Sequence, residues 1–265
     1  MTQDWLSDFE VDKFLKLLDL SRSECDLDFL VQIISKTIER IPFQNLTMLS
    51  NTREVPTLDD IKEQMLSAVG GICTVRNPFI HQVLVNLGYD AKLVAATIMQ
   101  PDCHIAIVVR INEEDWWCDP GNGFPYFSII RIGDESVQSH PFLKYRLVEA
   151  NGRWEIQHLI GDNDWYTNYH FDLKFVELNY FEHTYVQHYT VPGYGPFLTG
   201  IRFNKWTEED WIILRDKRVN THTTTVELQN EDELNHWIEE NIHPIQINDF
   251  LGVNSRISKI WEVVA

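Results

Sequence analysis

Basic residues are scarce: the 265-residue chain carries 22 lysines and arginines against 40 aspartates and glutamates, a formal net charge of −18. Such a field repels a phosphate backbone and an anionic lipid surface alike, which disfavours nucleic-acid and membrane partners. Cysteine is scarce too. Cys25, Cys73, Cys103 and Cys118 are too few and too irregularly spaced for a disulfide framework in a chain able to build its own core, so free thiols in a reducing compartment are expected. No run approaches the roughly 18 apolar residues of a membrane span, and Met1 to Glu10 lacks the basic-then-apolar order of an export signal. These absences predict a cytoplasmic protein. No repeat or low-complexity tract is present, and the 44% hydrophobic content is enough for a full core, so function must come from particular sites.

Helices are predicted in the first third. Ser7 with Glu10 three residues on makes a capping-box start, after which Val11, Phe14, Leu15 and Leu18 recur on one helical face. Leu30, Ile33, Ile34, Thr37, Ile38 and Ile41 repeat the pattern up to Pro42, and Thr57 opens another helix containing Ile61 and Met65. From about Ala91 the pattern changes to short β-rich runs: Leu93–Met99, Ile105–Ile111, Tyr145–Ala150 and Arg153–Ile160. Asn151-Gly152 between the last two is a strong type I′ hairpin signal. Towards the end, Trp211–Arg215 and Val219–Leu228 read as strands, and Asn230 caps a helix with Leu234, Trp237 and Ile238 on one face.

Three residues suggest chemistry. Cys73 follows Gly70-Gly71-Ile72 and precedes a helical stretch, from Pro78 to Leu87, that ends at Gly88. A helix N-terminus favours a thiolate and can hold a developing oxyanion. A helix starting at Cys73 would contain Pro78, whereas Asn77 as N-cap with Pro78 first is a standard start, leaving Cys73 a turn away. His104 opens a strand, and Asp119 follows Trp116-Trp117-Cys118 on the next. A turn centred near Ile111 and Asn112 would put His104 directly opposite Asp119, and a turn at Glu113-Glu114 would slip the pair two steps along the ladder. The logic is that of a thiol whose proton passes to a histidine oriented by a carboxylate. A zinc site with Cys103 and Cys118 is disfavoured, because strand neighbours point to opposite faces and cannot join His104 and Asp119 around one ion; no metal is expected. His183 and His188 read as surface or satisfied core residues, His188 being the substitute base should His104 fail.

Ile41-Pro42-Phe43-Gln44-Asn45-Leu46, Gly70-Gly71-Ile72-Cys73 with Asn77, His104, and Asp119-Pro120-Gly121-Asn122-Gly123 together resemble the signature of the arylamine N-acetyltransferases, in its order. The resemblance covers most of the chain and thins after about Thr190. It implies an α+β fold with a cysteine-protease-like catalytic core: a helical domain over 1–90 bearing the cysteine, an antiparallel β-barrel over 91–190 bearing histidine and aspartate, and an α/β lid over 191–265. It further implies ping-pong transfer of an acetyl group from acetyl-CoA to an arylamine, arylhydroxylamine or hydrazine, with Cys73 as nucleophile, His104 as base and Asp119 as its orienter. In the same resemblance Gly121 and Gly123 let CoA approach the backbone, and Phe43, Asn122 and Phe124 line or tune the acceptor pocket. The partners implied are therefore a CoA thioester and a small amine.

Departures stand beside these matches. The family usually carries arginine before the two glycines and glutamate in the Pro-Phe-Glu-Asn-Leu stretch, where this chain has Val69 and Gln44. Losing both halves of an ion pair together can be nearly neutral, so the change is compatible with a sound fold. Val75 and Arg76 also differ, and Thr190–Phe197 matches the CoA-proximal segment only loosely. These differences motivate two alternatives, an amide synthase using another acyl thioester and an inactive binding homologue, and the triad chemistry itself motivates a third, a thiol hydrolase or crosslinking enzyme.

Overall fold

Ser7 opens the first helix as its composition requires: its hydroxyl accepts from the Glu10 N–H at 3.3 Å while the Glu10 carboxylate accepts from the Ser7 N–H at 2.7 Å. The computed structural model describes residues 5–50 and 55–242. Helices α1 (Asp8–Leu17) and α2 (Leu27–Arg40) bury the apolar faces read from the sequence. A short strand β1 (Phe43–Gln44) and helix α3 (Leu46–Ser50) follow, then α4 (Leu58–Leu66), capped by Thr57 with Asp60, and α5 (Cys73–Leu87), ended by Gly88 at φ +105°.

The middle of the chain forms one antiparallel sheet. Its strands are β2 (Asp90–Thr97), β3 (His104–Ile111), β4 (Glu114–Cys118), β5 (Ile130–Arg131), β6 (Gln138–His140), β7 (Leu143–Ala150), β8 (Arg153–Ile160) and β9 (Asp164–Val176). They lie in the order β5-β4-β3-β2-β9-β8-β7-β6. Asn151 and Gly152 take φ of +54° and +75° between the paired Ala150 and Arg153, the hairpin that Asn-Gly predicts. The expected barrel is corrected to a curled, open half-barrel. Its edges β5 and β6 do not pair with each other, and strands of two and three residues offer too short a ladder to close one.

After a 3₁₀ turn over Leu178–Phe181 come α6 (Glu182–Thr190), a second 3₁₀ turn over Pro196–Leu198, then β10 (Arg202–Trp206), β11 (Trp211–Arg215), β12 (Arg218–Thr221), β13 (Thr225–Glu227) and α7 (Glu231–Asn241). The single strand expected over Val219–Leu228 is thus two antiparallel strands, because Thr221 turns the chain by bonding the backbone of Thr223 and Thr224. Strand β1 pairs with β10, so a piece of the first third completes the last sheet. Leu46 and Leu49 of α3 share a second core with Phe203, Leu214, Leu234 and Ile238, apart from the main core around α5 and β3. The expected 191–265 segment lies partly outside the described residues. Among those residues no helix is long and apolar enough to cross a membrane.

Helix α5 starts at Cys73 and holds Pro78 inside it, which corrects the start expected at Asn77-Pro78. Proline has no N–H to give to the carbonyl four residues back, that of Thr74. The hydroxyl of Tyr185, on α6, donates to that carbonyl instead. Replacing Tyr185 by Phe is expected to strand a buried carbonyl and cost about 1–3 kcal/mol. In a chemical-denaturation double-mutant cycle, adding Pro78→Ala, which restores the N–H, should recover part of that loss; strictly additive changes would break the account.

Candidate active site

Cys73 is the first residue of α5, so its sulfur sits at the positive end of the helix rather than a turn away. The Gly70-Gly71 pair makes this placement possible. Gly70 has φ +72° and lies so close to Pro42 that a Cβ would fall 1.9 Å from its carbonyl oxygen, while a Cβ on Gly71 would meet Val75 at 2.6 Å. Gly71 bridges Phe43 in parallel register, and Gln44 Nε2 donates to the Gly70 carbonyl at 3.2 Å. The Ile41–Leu46 stretch and the Gly-Gly-Ile-Cys stretch are therefore the two sides of one contact. Gln44 and Val69 are both buried there, with no charge left on either.

His104 and Asp119 meet in a register that neither sequence alternative gave. Asn112 and Glu113, both at positive φ, form the turn, and Ile111 pairs with Glu114, so the ladder sets Asp119 diagonally from His104, opposite Ala106 by extrapolation. The diagonal is short enough because β4 ends at Cys118 and releases Asp119 from the ladder. His104 Nε2 donates to Asp119 Oδ2 at 2.6 Å with both side chains buried. The Cys73 thiol acts on the same ring through its charge. Burial opposes a charge on His104, but the charges of Asp119 and Cys73 and the hydrogen bond to Asp119 outweigh it and raise the imidazole well above its ordinary range.

Several residues that the sequence reading did not assign hold Asp119. Asn77 donates to its Oδ1 at 2.7 Å and Tyr169 to its Oδ2 at 2.7 Å, Tyr169 being fixed in turn by the Trp117 indole at 2.9 Å. Arg76 is buried, and its Nε donates to the Pro120 carbonyl at 2.8 Å while its Nη1 donates to that of Ile41. Burial brings the Arg76 guanidinium down to about 9, against the opposing pull of the Asp119 charge. Cys73, Arg76 and Asn77 stand at i, i+3 and i+4 on one helix face. That spacing was the available signal for Arg76 and Asn77; Tyr169, on a distant strand, gave none.

The remaining predicted residues surround this centre. A Cβ on Gly121 would strike the Asn77 amide at 2.6 Å, and one on Gly123, at φ +89°, the Phe43 ring at 2.9 Å. The Gly123 carbonyl accepts from Asn204 and Trp206 at 2.7 and 2.8 Å. Phe43 packs on Phe197 at 5.9 Å between centroids. Asn122 Nδ2 lies 3.4 Å from His104 Nε2, and Asn168 Nδ2 donates to Asn122 Oδ1 at 3.3 Å and to the Tyr126 hydroxyl at 2.7 Å. Tyr126 donates to His158 Nε2, and Phe124, 39% exposed, sits edge-on to the His158 ring at 4.6 Å. Burial pushes His158 down to about 4. Cys118 is deep in the main core, where burial first and the Asp119 charge second push its thiol up. His188 is buried and donates from Nε2 to the Cys103 carbonyl at 2.8 Å, which occupies it structurally.

A sequence profile of the N-acetyltransferase family matches residues 26–249. The chain is 29% identical over 143 residues to the arylamine N-acetyltransferase of Escherichia coli, and this stretch is half of each protein. The chain thus spans about half the length of the curated relatives it matches. The fold of the arylamine N-acetyltransferase from Mycobacterium abscessus superposes with a TM-score of 0.81 at 19% identity, over 95% of this chain and 94% of that one. The Mycobacterium marinum enzyme in complex with CoA gives 0.83 at 18%, over 94% and 99%.

Two outcomes follow from the geometry. Arg76→Ala is expected to cost about 3–5 kcal/mol in urea unfolding, because it strands two buried carbonyls and removes a buried cation that compensates the buried Asp119 carboxylate. His158 is neutral in the folded protein from about 4 upward, whereas the unfolded chain protonates near the ordinary 6.5. Its contribution is therefore present above pH 6.5 and lost as pH falls towards 4, up to roughly 3 kcal/mol. Unfolding midpoints of wild type and His158→Gln, compared across that window, should show the flatter dependence in the variant.

Proposed function

Because the chain belongs to the arylamine N-acetyltransferase family, we propose that it moves an acetyl group from acetyl-CoA to an arylamine, arylhydroxylamine or hydrazine by way of an acetyl-Cys73. The observation that carries this reading is the buried line from Cys73 through His104 to Asp119 at the start of α5. Cys73 attacks the thioester carbonyl as a thiolate, with the N-terminal dipole of α5 stabilising the oxyanion as it forms. His104, kept protonated by the carboxylate and thiolate beside it, gives its proton to the departing CoA sulfur. In the second half the acceptor nitrogen attacks acetyl-Cys73, its proton passes to His104, and the Cys73 thiolate leaves. Asp119 holds the ring through Nε2, which leaves the other nitrogen for the proton exchange.

Gly121 and Gly123 border the CoA path in this reading. Their packing against Asn77 and Phe43 supports it by keeping the loop rigid and free of side chains. Phe43, Asn122 and Phe124 receive the acceptor, and Phe124 contributes an aromatic face partly open to solvent. The three segments 1–90, 91–190 and 191–265 supply nucleophile, base with orienter, and lid around a cysteine-protease-like core. A nucleophilic thiol with no disulfide partner among the described cysteines suits a cytoplasmic setting.

Mixing the protein with acetyl-CoA and no amine should add one acetyl group by mass spectrometry, lost in Cys73→Ala; an unchanged wild-type mass would remove acetyl-CoA as donor. Asp119→Asn should retain the fold and lower kcat by about 10²–10⁴ through misorientation of His104, read by arylamine acetylation.

A further inference from the structure

On the side of α5 away from Arg76 and Asn77, a cavity of about 1140 Å³ opens between α4, α5, β2 and α6. Its volume matches that of sites that take drug-sized molecules, and Cys73, His104 and Asp119 are not among its lining residues. The walls are apolar: Trp5, Ile61, Val85 and Leu93 line it, and the mouth exposes Val55, Leu58 and Val186. Water gains little from such a surface, so an apolar body is favoured there.

The charged residues of the lining are uneven. Asp90, Glu177 and Glu182 face the single lysine Lys92, and Lys92 Nζ is already paired to Asp90 at 2.9 Å. Glu177 and Glu182 remain as negative charge on a protein of net charge −18. His81, also in the lining, bonds the Ala91 carbonyl through Nε2 at 3.2 Å and brings no fixed positive charge. Trp5 and Tyr89 add two aromatic faces. This chemistry complements a cation attached to an apolar body and rejects an anion.

Tyr185 connects the cavity to the candidate active site. Its ring lines the cavity, as does Pro78, and its hydroxyl fills the hydrogen bond that Pro78 denies to Thr74, the neighbour of Cys73. We propose that this cavity is a second ligand site, for a lipophilic organic cation such as a protonated arylalkylamine, and that its occupant is sensed at Cys73 through Tyr185.

The test uses the full chain with Cys73→Ala, which leaves no acyl-cysteine for an amine to attack, and titrates 2-phenylethylammonium against the neutral 2-phenylethanol by calorimetry. The cation should bind at least tenfold more tightly than the alcohol. Val85→Trp, which fills the cavity, should abolish binding, and Glu177→Gln with Glu182→Gln, both at exposed positions, should remove the preference for the cation. No binding, equal binding of cation and alcohol, or binding that survives both variants overturns the site. In the wild type, saturating cation should change the rate of Cys73 alkylation by iodoacetamide at least threefold, and Tyr185→Phe should suppress that change; an unchanged rate overturns the link to Cys73. None of these readouts requires acetyl transfer, so they separate this inference from the proposed enzymatic activity.

Discussion

A carboxylate with no contact to solvent has to be compensated on every side, and Asp119 is such a carboxylate. Its oxygens accept from Asn77, His104 and Tyr169, with the Arg76 guanidinium as the nearby countercharge. These groups come from α5, β3 and β9, so meeting the needs of one buried charge fixes a helix against two strands. The same requirement orients the imidazole. A carboxylate that left the ladder at Cys118 without these donors would cost several kcal/mol, more than most single contacts supply.

Much of the architecture was legible locally. Capping boxes at Ser7 and Thr57, the Asn-Gly hairpin and the two-residue alternation of the strands all carry their cause within a few residues. Three features were not, and each has a distant or weak local cause. The start of α5 depends on a hydroxyl from Tyr185, more than a hundred residues along the chain. The register of β3 on β4 depends on Asn112-Glu113 adopting positive φ without glycine, a weaker signal than Asn-Gly. The break between β12 and β13 falls in a threonine-rich stretch that has strand propensity, where side-chain bonding from Thr221 to the backbone overrides it.

At the centre itself, the triad was readable because sequence motifs surrounded it, while the residues holding it were visible only in part. Arg76 had been read as a departure from the family pattern. In the structure it ties the carbonyl of Ile41 to that of Pro120, and so joins the stretch before Phe43 to the loop after Asp119. Gln44 and Val69 meet nothing that needs a charge: the Gln44 amide is satisfied by Gly70 and Thr47, and Val69 is simply buried. The neutral pair therefore leaves no stranded ion, which is the condition under which losing both partners costs little.

Pro78 bears on all of this, because a helix whose first residue carries the reactive sulfur must be held from outside. No side chain caps α5 at Ile72 among the described residues, so its first turn has no anchor of its own. Three tertiary contacts, one of them made by its own Arg76, replace the missing cap. Pro42 and Phe43 pack on Gly70 and Gly71 ahead of the helix, Arg76 spans two backbone carbonyls within its first turn, and Tyr185 takes the carbonyl that Pro78 leaves open. An ordinary residue at 78 would keep that carbonyl inside the helix and leave α6 with one tie fewer to the nucleophile. The proline thus converts an internal helical bond into a tertiary one, and makes the position of Cys73 depend on the last third of the chain as well as the first.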